Sequence, residues 1–572
     1  MQPRFLAACL LASLAGCAQL PHNASVPHLE QHGTAKQLIV DGRPFLAIAG
    51  EVRNSSSSSL AYMQPLWPRL AAGHLNTVLT PVSWELIEPR EGVFDFTLVD
   101  GLIEGARRHN LHLAFLWFGS WKNMVSSYAP AWVRAHPDRF ACAMDDAGDR
   151  YPILSTFSDA ACQADAAAFA ALMHHIAQVE AAHPRKTVLM MQVENEVGLG
   201  GGTRDHSPQA NQAFAGPVPR EVLSYLREHK DALAPELLQA WQSAGSKTAG
   251  SWAQLFGAGP AANQLFMSWQ YARYIDKVAA AGKNEYPIPM FVNASVGRQD
   301  GKAGTFPAGG PVANDLDVWH AAAPHLDLFC PDIYYGDFDA WCRKYTRTGD
   351  PLFIPEMRAG SEGSLHALTA IARYNAIGVS PFAIEDSIEH DEPYHQTYSL
   401  LPPLAPLILQ HQGDGSIAFV ELEAQNTTQK LPLGPYIFNL EIVRARNTTP
   451  EASAAAATLP ALQAYALIIH TAPDEYFVAG KNIQMTFSPT SLGREMAVAG
   501  GIDEGSFTQG RWIPGRRLNG DETMLSYSLN QLAATNQTGI GARFGDTPTI
   551  DRITLLRYPA SAANPAMPKG TP

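Results

Sequence analysis

The sequence predicts an α/β fold, a (β/α)8 barrel, followed by a smaller all-β, sandwich-like domain. From residue 36 to residue 412, short apolar runs alternate with segments of helical spacing, as in a parallel barrel. Beyond residue 413, short runs rich in Val, Ile, Phe and Tyr alternate with turns, and helical periodicity almost disappears. The length of 572 residues also exceeds one ordinary domain and favours this division into two.

A hairpin with its turn at Asp41-Gly42 precedes the barrel, and a last helix is expected near residues 403–412. Between them we predict eight buried strands, each ending where polar or small residues begin. They are Leu46–Gly50, His74–Thr80, Leu111–Trp117, a run that starts at Val188, Pro289–Asn293, Leu326–Tyr334, Leu352–Glu356 and Gly378–Ile384.

The all-β domain is assigned to residues 413–560, and residues 561–572 read as a flexible tail. Its predicted strands are short and bounded by turn residues. They are Ile417–Leu422, Tyr436–Val443, Ala464–Thr471, Tyr476–Ala479, Ile483–Phe487 and Ile550–Arg557.

Two barrel strands end in carboxylates. The run from Val188 ends in Glu194-Asn195-Glu196, and the run from Pro351 ends in Glu356. The C-terminal ends of barrel strands carry the chemistry of this fold, whereas packing gives no reason for acids there. Two carboxylates at two strand ends are the minimum machinery for breaking a glycosidic bond.

The N-terminus is typical of an export signal. Arg4 precedes a short apolar stretch, and Leu14-Ala15-Gly16-Cys17 resembles a bacterial lipobox, in which Cys17 becomes the lipid-carrying N-terminus. We therefore expect a signal peptide at residues 1–16, a polar tether at 17–35, and an exported lipoprotein anchored to the outer membrane, facing the periplasm or the cell surface. An ordinary signal peptide that contains a cysteine is the alternative.

Composition and cysteine content limit the classes of partner, metal site and disulfide that can be expected. A formal net charge of −13 argues against nucleic acid. No CxxC or HExxH spacing suggests a metal site, and no cofactor is expected. After export, four cysteines remain, either as buried thiols or as a structural disulfide whose pairing the sequence leaves open: Cys142, Cys162, Cys330 and Cys342. The oligomeric state is also left open.

Several motifs together resemble glycoside hydrolase family 35, the β-galactosidases of clan A. They comprise Ile39–Phe45, Ala49–Val52, Leu75–Thr80, Val82–Trp84 and Gln192–Glu196. The C-terminal module, with Gly501–Gly505 and Gly515–Gly520, resembles a β-rich domain attached to a bacterial branch of that family. The chain departs from the pattern at Pro81, at Lys122-Asn123 in place of an alanine–glutamate pair, and along Ser380–Glu385.

The resemblance implies a retaining enzyme with Glu196 as the acid/base and Glu356 as the nucleophile. Asn195 would then contact the 2-hydroxyl of the sugar. Residue spacing alone leaves Glu194 as a competitor, because in a regular strand Glu194 and Glu196 share a face and Asn195 lies on the other. A bulge at the strand end would be needed to expose both Asn195 and Glu196.

Other candidate contacts lie near strand ends. Tyr334 is either a donor to Glu356 that keeps it ionised or a rim tyrosine. Glu51 is either a ligand of galactose hydroxyls or a solvated loop acid. Trp84 and Trp121 are candidate sugar platforms, although packing is the commoner use of such residues, and Asn123 lies near the site.

The predicted function is hydrolysis of terminal β-D-galactose from oligosaccharides by double displacement, with xyloglucan side chains as a possible source. Two alternatives stay open at this point. One is another clan A retaining glycosidase, and the other is a non-catalytic, surface glycan-binding lipoprotein.

Overall fold

A computed structural model describes residues 26–296, 306–390, 392–423, 425–443, 463–491, 495–523 and 541–559. The predicted signal peptide, Cys17 and the predicted tail lie outside these residues. Within them, no helix combines the length and apolar character needed to cross a bilayer.

The barrel region contains thirteen strands, which alternate with helices along most of their length. They are β1 His28–His32, β2 Ala35–Val40, β3 Arg43–Phe45, β4 Ala47–Glu51, β5 Thr77–Ser83, β6 His112–Lys122, β7 Cys142–Met144, β8 Arg150–Leu154, β9 Val188–Asn195, β10 Met290–Ser295, β11 Leu328–Asp332, β12 Phe353–Met357 and β13 Gly378–Pro381.

Seventeen α-helices accompany the described strands. They are α1 Leu60–Met63, α2 Leu66–Ala72, α3 Trp84–Ile87, α4 Thr97–Arg108, α5 Ala131–Arg134, α6 Asp159–Ala181, α7 Pro208–Ala215, α8 Arg220–Glu228, α9 Pro235–Ser243, α10 Trp252–Phe256, α11 Pro260–Glu285, α12 Leu316–Ala322, α13 Phe338–Tyr345, α14 Gly360–Tyr374, α15 Ile384–Ser387, α16 Glu392–Tyr398 and α17 Leu401–His411.

Eight parallel strands form the barrel, in the order β11-β10-β9-β6-β5-β4-β13-β12. The ring closes where Ile333 forms a parallel bridge to Met357 and its amide donates to the carbonyl of Glu356, at 2.9 Å. The predicted (β/α)8 fold is confirmed. Closure brings the ends of β9 and β12, and so the predicted acids, to one rim.

The N-terminal hairpin, formed by β1 and β2 with β3 paired beside β2, covers the end of the barrel opposite the rim with the predicted acids. Leu38 and Val40 of β2 join the interior cluster that contains Ala47, Leu328 and Phe353, residues at the starts of their strands. Strand β1 pairs with β2 inside the range that the sequence assigns to a tether. The sequence of β1, HLEQH, has one apolar residue, Leu29, and four polar ones, so it lacks the hydrophobic pattern from which a strand is predicted.

The second domain contains two antiparallel sheets, β14-β17-β18-β23-β20-β21 and β15-β16-β19-β22, around a core of their own. Their strands are β14 Ile417–Leu422, β15 Thr428–Leu433, β16 Tyr436–Ile442, β17 Ala464–Ala472, β18 Glu475–Lys481, β19 Ile483–Pro489, β20 Glu495–Thr508, β21 Arg511–Leu518, β22 Ala542–Arg543 and β23 Thr549–Pro559. The predicted β-rich second region is confirmed.

Strand β17 is buried on both faces. One face, with Ala464, Ala466 and Ile468, belongs to the core between the sheets. The alternate residues join the hydrophobic cluster of the barrel helices: Tyr465, Leu467 and Ile469. Full burial of such side chains stabilises by roughly 1.5–3 kcal/mol each. This alternation makes the second domain a cover for the barrel surface.

The four cysteines of the described chain are free thiols. Cys162, Cys330 and Cys342 are buried, and burial raises the pKa of Cys162 to about 12. A thiol in such surroundings is an inert packing group.

Candidate active site

Strand β9 is distorted at its last residues. The backbone φ angle is +63° at Glu194 and +43° at Glu196, in the left-handed region that non-glycine residues rarely adopt. The register with β6 shifts over the same stretch, between Trp117 and Lys122. The extra residues lie in β6, where residues 118–121 stand opposite Glu194 alone, and the left-handed backbone at Glu194 and Glu196 separates the acids of the triplet.

Glu194 lies away from the pair Glu196–Glu356. Its two oxygens accept hydrogen bonds from the amides of Ser120 and Trp121, at 3.0 and 2.7 Å, and its carboxyl group also hydrogen-bonds Asp165. Burial, followed by the charge of Asp165, raises the pKa of Glu194 well above its usual value. Their burial and the hydrogen bond between them favour one proton shared by Glu194 and Asp165.

Asn195 connects a cation to Glu356. Its Oδ1 accepts from Nζ of Lys122 at 2.8 Å, and its Nδ2 donates to Oε1 of Glu356 at 3.3 Å. Lys122 is buried, and its ammonium lies 5.0 Å from the centroid of the Phe118 ring. The lysine fixes the orientation of the Asn195 amide, so that the amino group faces the site.

Glu196 is the buried acid beside Glu356. Nδ2 of Asn123 donates to its Oε2, and its own amide donates to Oδ1 of Asn293 at 2.9 Å. Burial raises the pKa of Glu196, the charge of Glu356 raises it further, and Lys122 lowers it. A carboxyl group with a raised pKa can hold a proton for a leaving group.

Glu356 receives three hydrogen bonds. The Tyr334 hydroxyl donates to Oε2 at 2.8 Å, and the side-chain amides of Asn195 and Asn293 donate to Oε1 at 3.3 Å each. The structure therefore places Tyr334 as a donor to Glu356. These three donors hold the carboxylate in one orientation, which a nucleophile needs for attack along a defined line.

Three carboxylates meet at this rim. One oxygen each of Glu196, Asp332 and Glu356 lies within 4.8 Å of the others. Such a set could also ligate a hard divalent cation. The sequence predicts no metal, and that expectation remains a prediction.

Two further acids at the site have oxygens without a hydrogen-bond partner in the described chain. Oδ2 of Asp332 accepts from Asn293 at 2.8 Å, but Oδ1 has no partner, and neither oxygen of Glu51 has one. Both residues are buried, and burial followed by the charge of Glu356 raises both pKa values well above the usual range. Buried polar atoms of this kind suit the hydroxyl groups of a ligand.

The two tryptophans predicted as sugar platforms are core residues. Trp84 and Trp121 are both 0% exposed. Their Nε1 groups donate to Oε2 of Glu88 at 2.8 Å and to the carbonyl of Leu154 at 3.1 Å. The predicted sugar contact is wrong for both, because neither ring has an open face. Proximity to a strand end did not distinguish side chains that point inward from those that point into the helical layer.

Three residues of the site were absent from the predicted set: Lys122, Asn293 and Asp332. A usable signal was present for two of them, because Asn293 and Asp332 are polar residues at the ends of apolar strands, as Glu196 and Glu356 are. Lys122 is the last residue of β6, but the predicted strand ended at Trp117, before the register shift, so Lys122 was not recognised as a strand end.

Two family models match the chain. Residues 69–279 match the family 42 glycoside hydrolase model, described as "Beta-galactosidase". This part of the barrel is therefore similar to the β-galactosidases that the family 42 model describes. Residues 394–530 match a model described as "Domain of unknown function (DUF5597)", which covers most of the β-rich domain.

Solved structures with a similar fold include β-galactosidases. Those from the psychrophilic Marinomonas ef1 and from Bacillus circulans sp. alkalophilus are 14% and 16% identical, with TM-scores of 0.41 and 0.44. Each match covers 64% of this chain, and the chain spans 60% and 57% of those two proteins. Among curated proteins, none matches this chain.

The family expectation is corrected at its finer level. The sequence resembles family 35, but the model that matches is that of family 42, which is also described as β-galactosidase. The departures noted in the sequence have structural counterparts here. Lys122 and Asn123, which stand in place of the alanine–glutamate pair of family 35, contact Asn195 and Glu196 directly.

Proposed function

We propose that the protein is a retaining, exo-acting β-galactosidase that releases terminal β-D-galactose from oligosaccharides. The observation that carries this proposal is the juxtaposition of Glu196 and Glu356, whose nearest oxygens lie within 4.8 Å at the barrel rim. Carboxyl groups about 5–5.5 Å apart support direct attack and retention, whereas inverting enzymes need roughly 6.5–9.5 Å to admit a water molecule.

In the first step, Glu356 attacks the anomeric carbon while Glu196 donates its proton to the glycosidic oxygen of the leaving group. The product is a covalent galactosyl–enzyme ester, and the aglycone departs as an alcohol. In the second step, Glu196, now a carboxylate, takes a proton from water, which attacks the same carbon and releases Glu356. The raised pKa of Glu196 supports its role as the acid.

Three residues support binding of the galactose ring. Asn195 presents its amino group beside Glu356, where the 2-hydroxyl of a bound sugar would lie. Glu51 and Asp332 offer buried, unpartnered oxygens to other hydroxyl groups. These three side chains are more deeply buried than Glu196 and Glu356, as expected for an enzyme that takes one terminal sugar.

The experiment that tests the reaction is a screen of nitrophenyl β-glycosides with wild-type protein, followed by proton NMR of the first anomer released. We expect hydrolysis of the galactoside and initial release of β-galactose. Preferred hydrolysis of another glycoside would assign a different sugar, and initial α-galactose would contradict retention. Glycan binding without any turnover would favour a binding protein.

As the natural source of galactose, we propose galactosylated side chains of plant hemicellulose, xyloglucan in particular. This finer proposal rests on the resemblance and on the proposed export signal. It predicts a higher kcat/KM on xyloglucan oligosaccharides than on lactose. Much faster cleavage of lactose and simple galactosides would remove the basis for it.

We also propose that the protein is an outer-membrane lipoprotein modified at Cys17. Cys17→Ser should leave an unlipidated precursor that partitions into the aqueous phase of a detergent extraction, whereas the wild-type protein enters the detergent phase. Equal partitioning of the two into the aqueous phase would contradict lipidation.

A further inference from the structure

Tyr335 is an exposed aromatic residue directly beside the catalytic pair. It is 72% exposed, although it follows the buried end of β11 by only three residues. Its ring centroid lies 6.4 Å from that of Tyr334, whose hydroxyl donates to Glu356. Removing the apolar surface of such a ring from water is favourable, so an exposed aromatic ring at the rim of a binding site favours a ligand that covers it.

Arg358 holds this ring from one side. Its guanidinium lies 4.6 Å from the Tyr335 ring centroid, and its Nε donates to the carbonyl of Tyr334 at 2.8 Å. Arg358 is itself two residues beyond Glu356, at the end of β12. One face of the Tyr335 ring is therefore covered and tied to the strand of the nucleophile, and the other face stays open to solvent.

We propose that Tyr335, supported by Arg358, is the platform for the aglycone sugar, the unit to which the terminal galactose is attached. This inference rests on the proposed galactosidase function and adds a second binding subsite to it. The galactose ring would occupy the buried side of the Glu196–Glu356 pair, where Glu51 and Asp332 lie. The next sugar would lie on the solvent side, over Tyr335.

The chemistry of the platform favours a sugar. A pyranose ring has a face of C–H bonds with partial positive charge, which is attracted to the negative face of an aromatic ring. Stacking also covers apolar surface on both partners and leaves the sugar hydroxyls in water. Such a contact is tolerant of linkage, so it selects sugar aglycones as a class.

The test compares two galactosyl donors with different leaving groups. β-Galactosyl fluoride has a single-atom leaving group that cannot reach the platform, whereas a galactosylated xyloglucan oligosaccharide has a sugar there. For each variant we consider the ratio of kcat/KM on the oligosaccharide to kcat/KM on the fluoride. We expect Tyr335→Ala to lower this ratio about tenfold, mainly through KM, and Tyr335→Phe to keep it within about twofold.

Tyr558→Ala is the matched control, because Tyr558 is a 41% exposed tyrosine on β23 of the second domain. It should keep the wild-type ratio, and thermal unfolding should show that all variants are folded. An equal loss on both donors in Tyr335→Ala, or no loss on either, would overturn the platform while the galactosidase proposal stands. A wild-type enzyme that hydrolyses neither donor would overturn both.

Discussion

Two pairs of buried acids lie at the end of the same strand, and their surroundings differ. The pair Asp165–Glu194 faces the helical layer, and the pair Glu196–Glu356 faces the barrel rim. Burial raises the pKa of Glu194 and of Glu196 alike. Burial and the direction of the pKa shift therefore do not distinguish the proposed catalytic pair, Glu196–Glu356, from the pair Asp165–Glu194.

The two surroundings differ in whether the carboxylate oxygens have hydrogen-bond donors. Asp165 and Glu194 receive the amides of Ser120 and Trp121 and the indole of Trp117, and the Ser120 hydroxyl completes the set. Every described oxygen of that pair has a partner. Beside the catalytic pair, oxygens of Glu51 and Asp332 lack one, so that the site has binding capacity left for a ligand.

Loss of the nucleophile should give the largest effect. Glu356→Gly removes the covalent route, and we expect kcat to fall by a factor on the order of 10⁴ or more on every substrate. Azide or formate can then fill the space and attack from the emptied side, which gives a product of inverted configuration. Proton NMR of the product measures this, and rescue with retention would contradict the role of Glu356.

Loss of the acid should depend on the leaving group. In Glu196→Ala, hydrolysis of natural sugars should fall about 10²–10⁴-fold, because no group protonates the glycosidic oxygen. A dinitrophenyl galactoside needs little protonation and should still form the intermediate, which azide attacks with retention. Equal losses on both substrates would contradict the assignment of Glu196.

The same proton should appear in the pH profile. The raised pKa of Glu196 extends to higher pH the range in which the acid is protonated, and activity is lost as the pH rises through that pKa. Above it, kcat/KM on an oligosaccharide should fall by about tenfold per pH unit. The alkaline limb should be much weaker with the dinitrophenyl galactoside. Identical profiles for the two substrates would assign the limb to another group.

Glu194→Gln should have the smallest effect on activity and sharpens the comparison of the pairs. The glutamine amide keeps one oxygen, which can still accept from the amide of Trp121, and its amino group can donate to Asp165. The Ser120 amide loses its Glu194 acceptor but still donates to Oδ2 of Asp165 at 3.2 Å, so we expect kcat within about threefold of wild type. Glu196→Gln, by contrast, should lose at least about 10²-fold on natural substrates. The opposite result would exchange the two assignments within the triplet.

The stability of the same variant has a defined pH dependence. Because the folded-state pKa of Glu194 is raised above its unfolded value, wild-type stability is complete below the unfolded pKa and decreases as the pH rises toward the folded pKa. Glu194→Gln lacks this loss. In that window the free energy of unfolding of the variant should gain on wild type by about 1.4 kcal/mol per pH unit, measured by denaturant titration. A pH-independent difference would contradict proton sharing.

Much of the fold could be predicted because hydrophobic pattern and chain order determine it. The eight barrel strands lie within a few residues of their predicted places, since strands buried on both faces are continuous apolar runs. Strands β15, β20 and β21 had no such signal. Four glycines occur in β20 and β21, Gly500, Gly501, Gly505 and Gly515, and charged residues interrupt their apolar positions.

That Glu196 and Glu356 lie together could be predicted from their places at strand ends, but the orientation of the triplet could not. That orientation depends on left-handed backbone at Glu194 and Glu196 and on Asp165, which lies in α6 and far away in sequence. The prediction of sugar contacts for Trp84 and Trp121 was wrong for the same reason. Which way a side chain points at the end of a bulged strand is decided by distant partners.

The N-terminal hairpin also determines at which end of the barrel the described chain begins. Thr34, beside the N-terminal hairpin, is bonded to Gly413 at the junction of the two domains, through its amide at 3.0 Å and its hydroxyl at 2.9 Å. The described chain thus begins at the end of the barrel opposite the rim that carries Glu196 and Glu356. Under the lipoprotein proposal, a lipid on Cys17 would attach the protein to the membrane near the end of the barrel that the hairpin covers. The rim with Glu196 and Glu356 would then face away from the bilayer and be accessible to glycans.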